Sequence, residues 1–264
     1  MSETTPIPVI LAGAAGRMGQ EAIRALSQSP RTRLTGALTH QSGLGQDAGT
    51  LVGLPPLGVT LTSNLEALLH QAEAGTVLVD LTRGEIAVSH AQQALRAGIS
   101  VVIGATGLSA EACEHLHTHA EQGGCGVLLA PNFSLGALLL MRFARQARAY
   151  FDWVEIIELH HEHKKDAPSG TALRTAELLH AVKASEHTEA PHPARGQQVH
   201  GIPIHSVRLP GLLAHQEVIF GDTGQTLTLR HDSSHRSSFM PGLLLAVEKV
   251  QSLKGLVYGL EHLL

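Results

Sequence analysis

The stretch Ile7-Pro-Val-Ile-Leu-Ala-Gly13-Ala-Ala-Gly16-Arg-Met-Gly19 decides how the rest of the chain is read. A short apolar run ends in closely spaced glycines, and an amphipathic segment follows with Met18, Ala22, Ala25 and Leu26 at helical spacing. Strand, glycine loop and helix is the arrangement in which backbone N–H groups and a helix N-terminus hold a pyrophosphate. The spacing is G-x-x-G-x-x-G, which an ordinary tight βα turn could also show, so its meaning depends on its surroundings. Those surroundings repeat the pattern. A second strand is predicted over Arg33–Leu38 and ends at Thr39-His40, where a dinucleotide fold commonly places an acid for the adenosine ribose. The absence of a carboxylate there permits a 2′-phosphate. Gln41–Pro56 reads as a glycine-rich surface loop.

Beyond it the alternation resumes. Helices are predicted over Asn64–Gln71, Glu85–Ala97 and Ala110–Glu121, the last capped by Ser109. Strands are predicted over Thr76–Leu81, Ser100–Ile103 and Gly126–Leu129. Strands separated by helices argue for an α/β fold with a doubly wound parallel sheet. Gly13, Arg83, Gly104–Thr106 and Asn132 then all fall at carboxyl ends of parallel strands, where open α/β sheets bind ligands. A cofactor crevice is the expectation.

The second half is patterned differently. An apolar helix over Leu135–Tyr150 carries Arg142, Arg145 and Arg148, which read as a solvated face. After a polar link over Ser185–Gln198 come the alternating runs Ile202–Arg208, Gln216–Phe220 and Thr226–Arg230, suggesting an antiparallel α+β domain whose first strand is Trp153–Leu159. Phe239–Gln251 is a final apolar helix, and the closing segment is expected to return to the first domain.

Between the halves lies Glu158-Leu-His-His-Glu-His-Lys-Lys-Asp-Ala-Pro-Ser-Gly-Thr171. His160 and His161 close a strand and so point to opposite sides. Ser169-Gly170-Thr171 opens a helix with Ala172, Ala176 and Leu179 on one face; its free N–H groups and hydroxyls make a carboxylate seat. Lys164 or Lys165 adds fixed positive charge, and a histidine is the natural proton donor near neutral pH. Three other readings compete. A zinc site from His160, His161 and His163 suffers from diverging adjacent ligands and lacks an H-E-x-x-H signature. A solvated polar loop is a natural reading in a chain with 18 histidines. Serine nucleophile chemistry lacks the G-x-S-x-G elbow.

The bulk properties narrow the classes. The chain has 264 residues, 43% of them hydrophobic, and a formal charge of −4 with scattered Lys and Arg, giving no basic footprint for nucleic acid. No apolar run approaches the ~20 residues of a membrane span. Met1-Ser-Glu-Thr-Thr-Pro6 has no secretory-signal pattern, and Cys113 and Cys125 show no metal or redox spacing, so a cytoplasmic setting is expected.

Taken together, Gly13-Ala-Ala-Gly-Arg-Met-Gly19, Gly104-Ala-Thr-Gly107, Ala130-Pro-Asn-Phe-Ser-Leu-Gly136 and Glu158 to Ala172 resemble the 4-hydroxy-tetrahydrodipicolinate reductase family over nearly the whole chain. That resemblance implies a Rossmann domain over residues 1–133, rejoined by a C-terminal helix over about 237–264. It also implies a substrate and oligomerisation domain over 134–236 with a mixed open sheet that builds a homotetramer. It implies reduction of a small dicarboxylated ring with a nicotinamide cofactor in the diaminopimelate route to lysine; the missing carboxylate at Thr39-His40 makes NADPH the expected form, NADH also being usable, and no metal is expected. His160 would match the family's proton donor and Lys164 its second catalytic residue. His161, Lys164, Ser169, Gly170 and Thr171 would hold the substrate. Gly13, Ala14, Ala15, Gly16, Arg17, Met18, Gly104, Ala105, Thr106, Ala130, Pro131, Asn132 and Phe133 would meet the cofactor, and position in the chain adds Arg83 at a strand end and His40, with Arg17, near the expected phosphate.

The chain departs from the family pattern at three places. Thr39-His40 replaces a common Glu-Arg, which removes the acid that favours NADH and the arginine that clasps a 2′-phosphate. Ala105 stands where a threonine is usual, and Pro131 removes one backbone donor. Two rivals stay open at this point: a related amino-acid or oxo-acid dehydrogenase, and a nucleotide-binding sensor without catalysis. Because crevice and carboxylate seat lie on different predicted domains, closure on substrate is expected.

Overall fold

The structure is a computed structural model and describes residues 5–184 and 193–264. The chain divides into two compact units, Met1–Phe133 with Phe239–Leu264, and Ser134–Ser238. Met1–Thr4 and residues 185–192, the latter within the predicted polar link, lie outside the described residues.

In the first unit the strands are β1 (Ile7–Ala12), β2 (Thr32–Leu38), β3 (Leu61–Thr62), β4 (Val77–Asp80), β5 (Ser100–Ile103) and β6 (Gly126–Leu129). The helices are α1 (Arg17–Gln28), α2 (Ala48–Leu51), α3 (Leu65–His70), α4 (Gly84–Arg96) and α5 (Ala110–Gly123). The second unit carries α6 (Leu135–Arg148), β7 (Trp153–His160), α7 (Gly170–Val182), β8 (Gln197–Val199), β9 (Ile202–Arg208), β10 (Ala214–Asp222) and β11 (Gln225–Ser233). Helix α8 (Met240–Val250) and strand β12 (Gly255–Tyr258) complete the first unit.

The first unit is a seven-stranded sheet in the order β12-β6-β5-β4-β1-β2-β3, with every pairing parallel. Strands buried on both faces are expected to be almost continuously apolar, and β4, β5 and β6 are, with Val77, Leu78, Val101, Val102, Val127 and Leu128 fully buried. Chain order reverses between β1 and β4, the topological switch point at which doubly wound sheets open a crevice. The helices start where short polar side chains can cap them. Asn64 Oδ1 accepts from Ala67 N at 2.9 Å, and Ser109 Oγ accepts from Ala112 N at 3.1 Å.

Two features of this unit differ from the sequence reading. Gln41–Pro56 is more than a surface loop: it contains α2, with Ala48, Gly49 and Val52 buried. The Asp47 carboxylate organises it by accepting from the N–H groups of Gly49, Thr50, Leu57 and Val59, and the bonds from Leu57, Thr50 and Gly49 hold its pKa down. The closing segment does not end in the helix. Strand β12 adds in parallel to β6, extending the sheet by one strand that periodicity over four residues could not announce.

The second unit has a five-stranded sheet in the order β11-β10-β7-β9-β8. It is mixed rather than antiparallel, because β7 and β9 run parallel with Glu158 opposite Ser206 and His160 opposite Arg208. Strand alternation places Val154, Ile156 and Glu158 of β7 with Val218 and Phe220 of β10 on one buried face, against which α6 and α7 pack. Arg148 corrects the reading of the α6 arginines as a solvated face. It is fully buried, and its guanidinium donates to the carbonyls of Phe151, Asp152, Lys183 and Ala184, binding together the C-terminal ends of α6 and α7. Arg142 and Arg145 are exposed, as expected.

Candidate active site

In the first unit the carboxyl ends of the parallel strands are tied to one another through the backbone. Leu81 N donates to Ala12 O at 3.0 Å, Gly104 N to Asp80 O at 2.8 Å and Ala130 N to Ile103 O at 2.8 Å. These bonds hold the Gly13 loop, the Thr82–Arg83 turn, Gly104–Thr106 and Ala130–Phe133 at the same edge of the sheet. Gly13 has φ +80°, a conformation costly for a side chain, and a Cβ there would lie 3.1 Å from the Leu81 carbonyl. Gly19 allows the helix to start close to the loop: a Cβ would fall 2.1 Å from Gly13 O and 2.6 Å from Ala14 O. Gly16 caps α1 with no side-chain hydrogen bond, so the first N–H groups of that helix, including those of Arg17 and Met18, are left for another partner.

A backbone-lined loop and an uncapped helix start at the switch point suit a dinucleotide pyrophosphate, so these residues fit a nicotinamide cofactor. Beside them Ala14 and Ala105 are buried, and Arg17 and His40 are exposed. Thr39 is turned into its own loop, its hydroxyl donating to Ser42 O at 2.9 Å.

The second unit builds its chemistry around Glu158. On a strand, residues two apart share a side, so Glu158 and His160 project together from the end of β7. Glu158 is fully buried. Its Oε2 accepts from His160 Nδ1 at 2.6 Å and from Arg208 Nη1 at 2.9 Å; its Oε1 accepts from Arg208 Nη2 at 2.7 Å and Ser169 N at 3.2 Å. Burial is the largest single influence on this carboxyl and pushes its pKa up. Hydrogen bonds from His160, Arg208 and Ser206 together outweigh it and bring the value down to about 2. The group is therefore an anion at any working pH. An anionic acceptor on Nδ1 fixes the tautomer of His160 and leaves Nε2 as the atom through which the ring acts.

The loop after β7 is fastened to this centre. Arg208 Nη2 also donates to Asp166 O at 2.8 Å, and Lys164 Nζ pairs with Asp166 Oδ2 at 2.7 Å, which lowers the Asp166 pKa. The loop then reaches Ser169, itself buried, whose Oγ accepts from Ala172 N at 3.2 Å and caps α7. Among the described residues the N–H groups of Gly170 and Thr171 meet no acceptor. The space beside Gly170 is open, since a Cβ there would meet nothing within 4 Å. Two free amides at a helix start, in the same network as a histidine with a fixed tautomer and a lysine, are suited chemically to an anion such as a carboxylate.

His160, Ser169 and the Lys164 loop are thus joined through Glu158, Arg208 and Asp166. His161 is the first residue past the end of β7. Among the described residues its buried Nδ1 has no hydrogen-bond partner, and its pKa is lowered first by burial and then by His160 and Arg236. His163 and Lys165 are exposed. Sequence reading gave no role to Glu158 or Arg208. The i, i+2 relation to His160 marks Glu158, but nothing local marks Arg208, which arrives from β9 only through the parallel pairing. Among the described residues no cluster of three or more His, Cys, Asp or Glu is placed to hold a metal ion, and no helix is long and apolar enough to cross a membrane.

Comparison with known proteins agrees with this architecture. Residues 7–133 match the family model described as dihydrodipicolinate reductase, N-terminus, and residues 136–264 that described as dihydrodipicolinate reductase, C-terminus. The chain is 49% identical over 263 residues to the 4-hydroxy-tetrahydrodipicolinate reductase of Moorella thermoacetica, covering 98% of each chain. It is 47% identical over 275 residues to the enzyme of that name from Synechocystis sp., covering both chains fully. Among solved structures, a dipicolinate-bound dihydrodipicolinate reductase from Paenisporosarcina sp. TG-14 superposes with a TM-score of 0.85 at 41% identity, over 98% of this chain and 100% of that one. An amine dehydrogenase from Mycobacterium smegmatis, 15% identical with a TM-score of 0.68 over 99% of this chain and 97% of that one, shares the fold. The chain belongs to the dihydrodipicolinate reductase family, whose members are also named 4-hydroxy-tetrahydrodipicolinate reductase.

Proposed function

We propose that this protein reduces 4-hydroxy-tetrahydrodipicolinate to tetrahydrodipicolinate in the diaminopimelate route to lysine, with NADPH as its preferred reductant. The single observation that carries the reading is the centre around Glu158. A buried anion fixes one tautomer of His160 and at the same time hydrogen-bonds Ser169 N, the residue that opens the amide seat of α7. A related amino-acid dehydrogenase would have no need of that seat beside a proton donor.

When bound, the nicotinamide supplies a hydride to ring C4, after water has left the hydroxylated ring. The chain's own residues do the rest. The Gly170 and Thr171 amides and the Ser169 and Thr171 hydroxyls receive a substrate carboxylate, with His161 on the substrate's other side. Lys164, whose Nζ needs only to leave exposed Asp166, supplies a cation to the same dianion. His160 delivers a proton to ring C3 through Nε2, while Glu158 keeps Nδ1 protonated and stabilises the charged imidazole. At the cofactor crevice, Gly13 to Met18 receive the pyrophosphate, and Arg83, Gly104 to Thr106 and Ala130 to Phe133 contact the nicotinamide half.

The preference for NADPH is supported by the end of β2. Thr39 presents no carboxylate to repel a 2′-phosphate, the adjacent His40 is exposed, and Arg17 at the start of α1 is exposed as well. We place the protein in the cytoplasm, with Cys113 and Cys125 as free thiols. We assemble it as a homotetramer through the face of the five-stranded sheet opposite α6 and α7, where Ile157, Leu159 and Ile219 are only half-buried. Generating the substrate in place with the upstream synthase and following NADPH absorbance tests the reaction. NADPH consumption no faster than a control without this protein would refute it.

A further inference from the structure

Asp80 takes no part in the reaction proposed above, yet it is a carboxylate with both oxygens hydrogen-bonded inside the first unit. It ends β4 beside the switch point and is fully buried. Its Oδ1 accepts from Thr82 N at 2.7 Å and from Thr82 Oγ at 2.5 Å, and its Oδ2 accepts from His90 Nδ1 at 2.7 Å. A buried carboxylate persists only where donors satisfy it. Two of these donors come from the turn that follows β4, and the third comes from the helix that the turn leads into.

Asp80 and the next residue, Leu81, also join the neighbouring loops. Asp80 O accepts from Gly104 N, and Leu81 N donates to Ala12 O, the residue before Gly13. The turn has little else to fix it. Arg83 caps α4 in an extended conformation with no side-chain hydrogen bond, and the next residue is a glycine at φ +47°. Of the three donors, His90 is the one that ties the carboxylate to α4 rather than to the turn itself. Remove it, and among the described residues Oδ2 has no donor, so the turn loses its tie to α4.

We propose that Asp80 and His90 are a positioning pair for the cofactor: they lock the Thr82–Arg83 turn in the one conformation in which it lines the crevice, and so set the affinity for the nicotinamide dinucleotide. The inference rests on the reading that this crevice takes such a cofactor. Neither residue is catalytic; both act through the turn. A purely structural role would lower stability in every variant and leave the affinity of the folded protein alone.

The test titrates the full-length protein with NADPH in the absence of substrate, following nicotinamide fluorescence, for wild type, His90→Leu and His90→Asn. An asparagine amide can donate from about where Nδ1 lies, and a leucine cannot. Losing a hydrogen bond to a buried charged group predicts a Kd for NADPH raised about tenfold in the leucine variant and restored to within about threefold of wild type by asparagine. In steady state the KM for NADPH moves with Kd, and kcat moves less than KM does. Should the leucine variant not fold, Thr82→Val removes only the hydroxyl donor and is expected to weaken NADPH binding in the same direction. Wild-type affinity in a folded leucine or valine variant overturns the proposal, as does an asparagine variant that binds as weakly as leucine. A wild-type protein that binds no NADPH overturns the crevice reading itself, and this proposal with it.

Discussion

Replacing Glu158 by glutamine tests how far one buried carboxylate supports both fold and site. The side chain is fully buried, and its carboxyl pKa falls to about 2 from an ordinary value near 4.5. At about 1.4 kcal/mol per unit, that difference corresponds to a contribution of roughly 3 kcal/mol at neutral pH. The pKa is depressed in the folded state, so the contribution is fully present above the unfolded value. It is lost as pH falls through the folded one, over a window from about pH 5 down to 2. Glutamine keeps one acceptor but puts an N–H₂ group against Arg208 or His160, leaving the guanidinium without its counter-charge, a loss of roughly 3–5 kcal/mol when a buried pair is broken. Urea denaturation at one fixed protein concentration, at pH 7 and again near pH 3.5, measures this. The variant is expected to be about 3 kcal/mol or more less stable at pH 7, with the gap clearly smaller at the lower pH. Activity should fall too, because His160 loses its fixed tautomer; a kcat loss of about tenfold to hundredfold is expected, a share of what a general acid supplies. A variant as stable as wild type, a gap that does not shrink with acid, or an unchanged kcat would refute the reasoning.

Three further outcomes follow from the site. His160→Gln should lose mainly kcat, by about 10²–10⁴-fold if a general acid is removed, with the KM for the ring substrate little changed; a variant with near-full activity refutes the assigned role. Lys164→Ala should impair kcat and KM together, because the same cation binds the dianion and stabilises developing charge, and steady-state kinetics separate the two constants. The ratio of kcat/KM for NADPH to that for NADH should exceed one, and a tenfold preference for NADH would contradict the role given to the end of β2.

Most of the first unit was legible because its signals are local. Glycine at a tight strand-to-helix turn, serine or asparagine at a helix start, and short apolar strands depend on neighbours in the chain; Ser109 and Asn64 cap their helices, and a helix opens at Ser169 as the sequence predicts. What escaped depends on partners far away in sequence. Strand β12 exists because β6 offers it an edge, and β8 because β9 does. The parallel pairing of β7 with β9 is invisible in alternation, which shows that a residue faces inward but not which way its neighbour runs.

The site divides along the same line. His160, Lys164 and the Ser169 turn sit in one continuous stretch whose residue types announce acid, cation and amide seat. Arg208 completes the centre from fifty residues away. Arg148 was misread because a charge in the last turn of a helix is normally solvated. Here it faces carbonyl groups left open at the ends of α6 and α7, and burial follows from that.

The most direct measurement uses NADPH carrying deuterium at both positions of nicotinamide C4, with 4-hydroxy-tetrahydrodipicolinate supplied by the upstream synthase, and locates the label in the product by NMR. One deuterium at ring C4 for each NADPH oxidised, with no oxidation when the ring substrate is withheld, is the result predicted. NADPH oxidation without label at ring C4, or at the same rate without substrate, would contradict it.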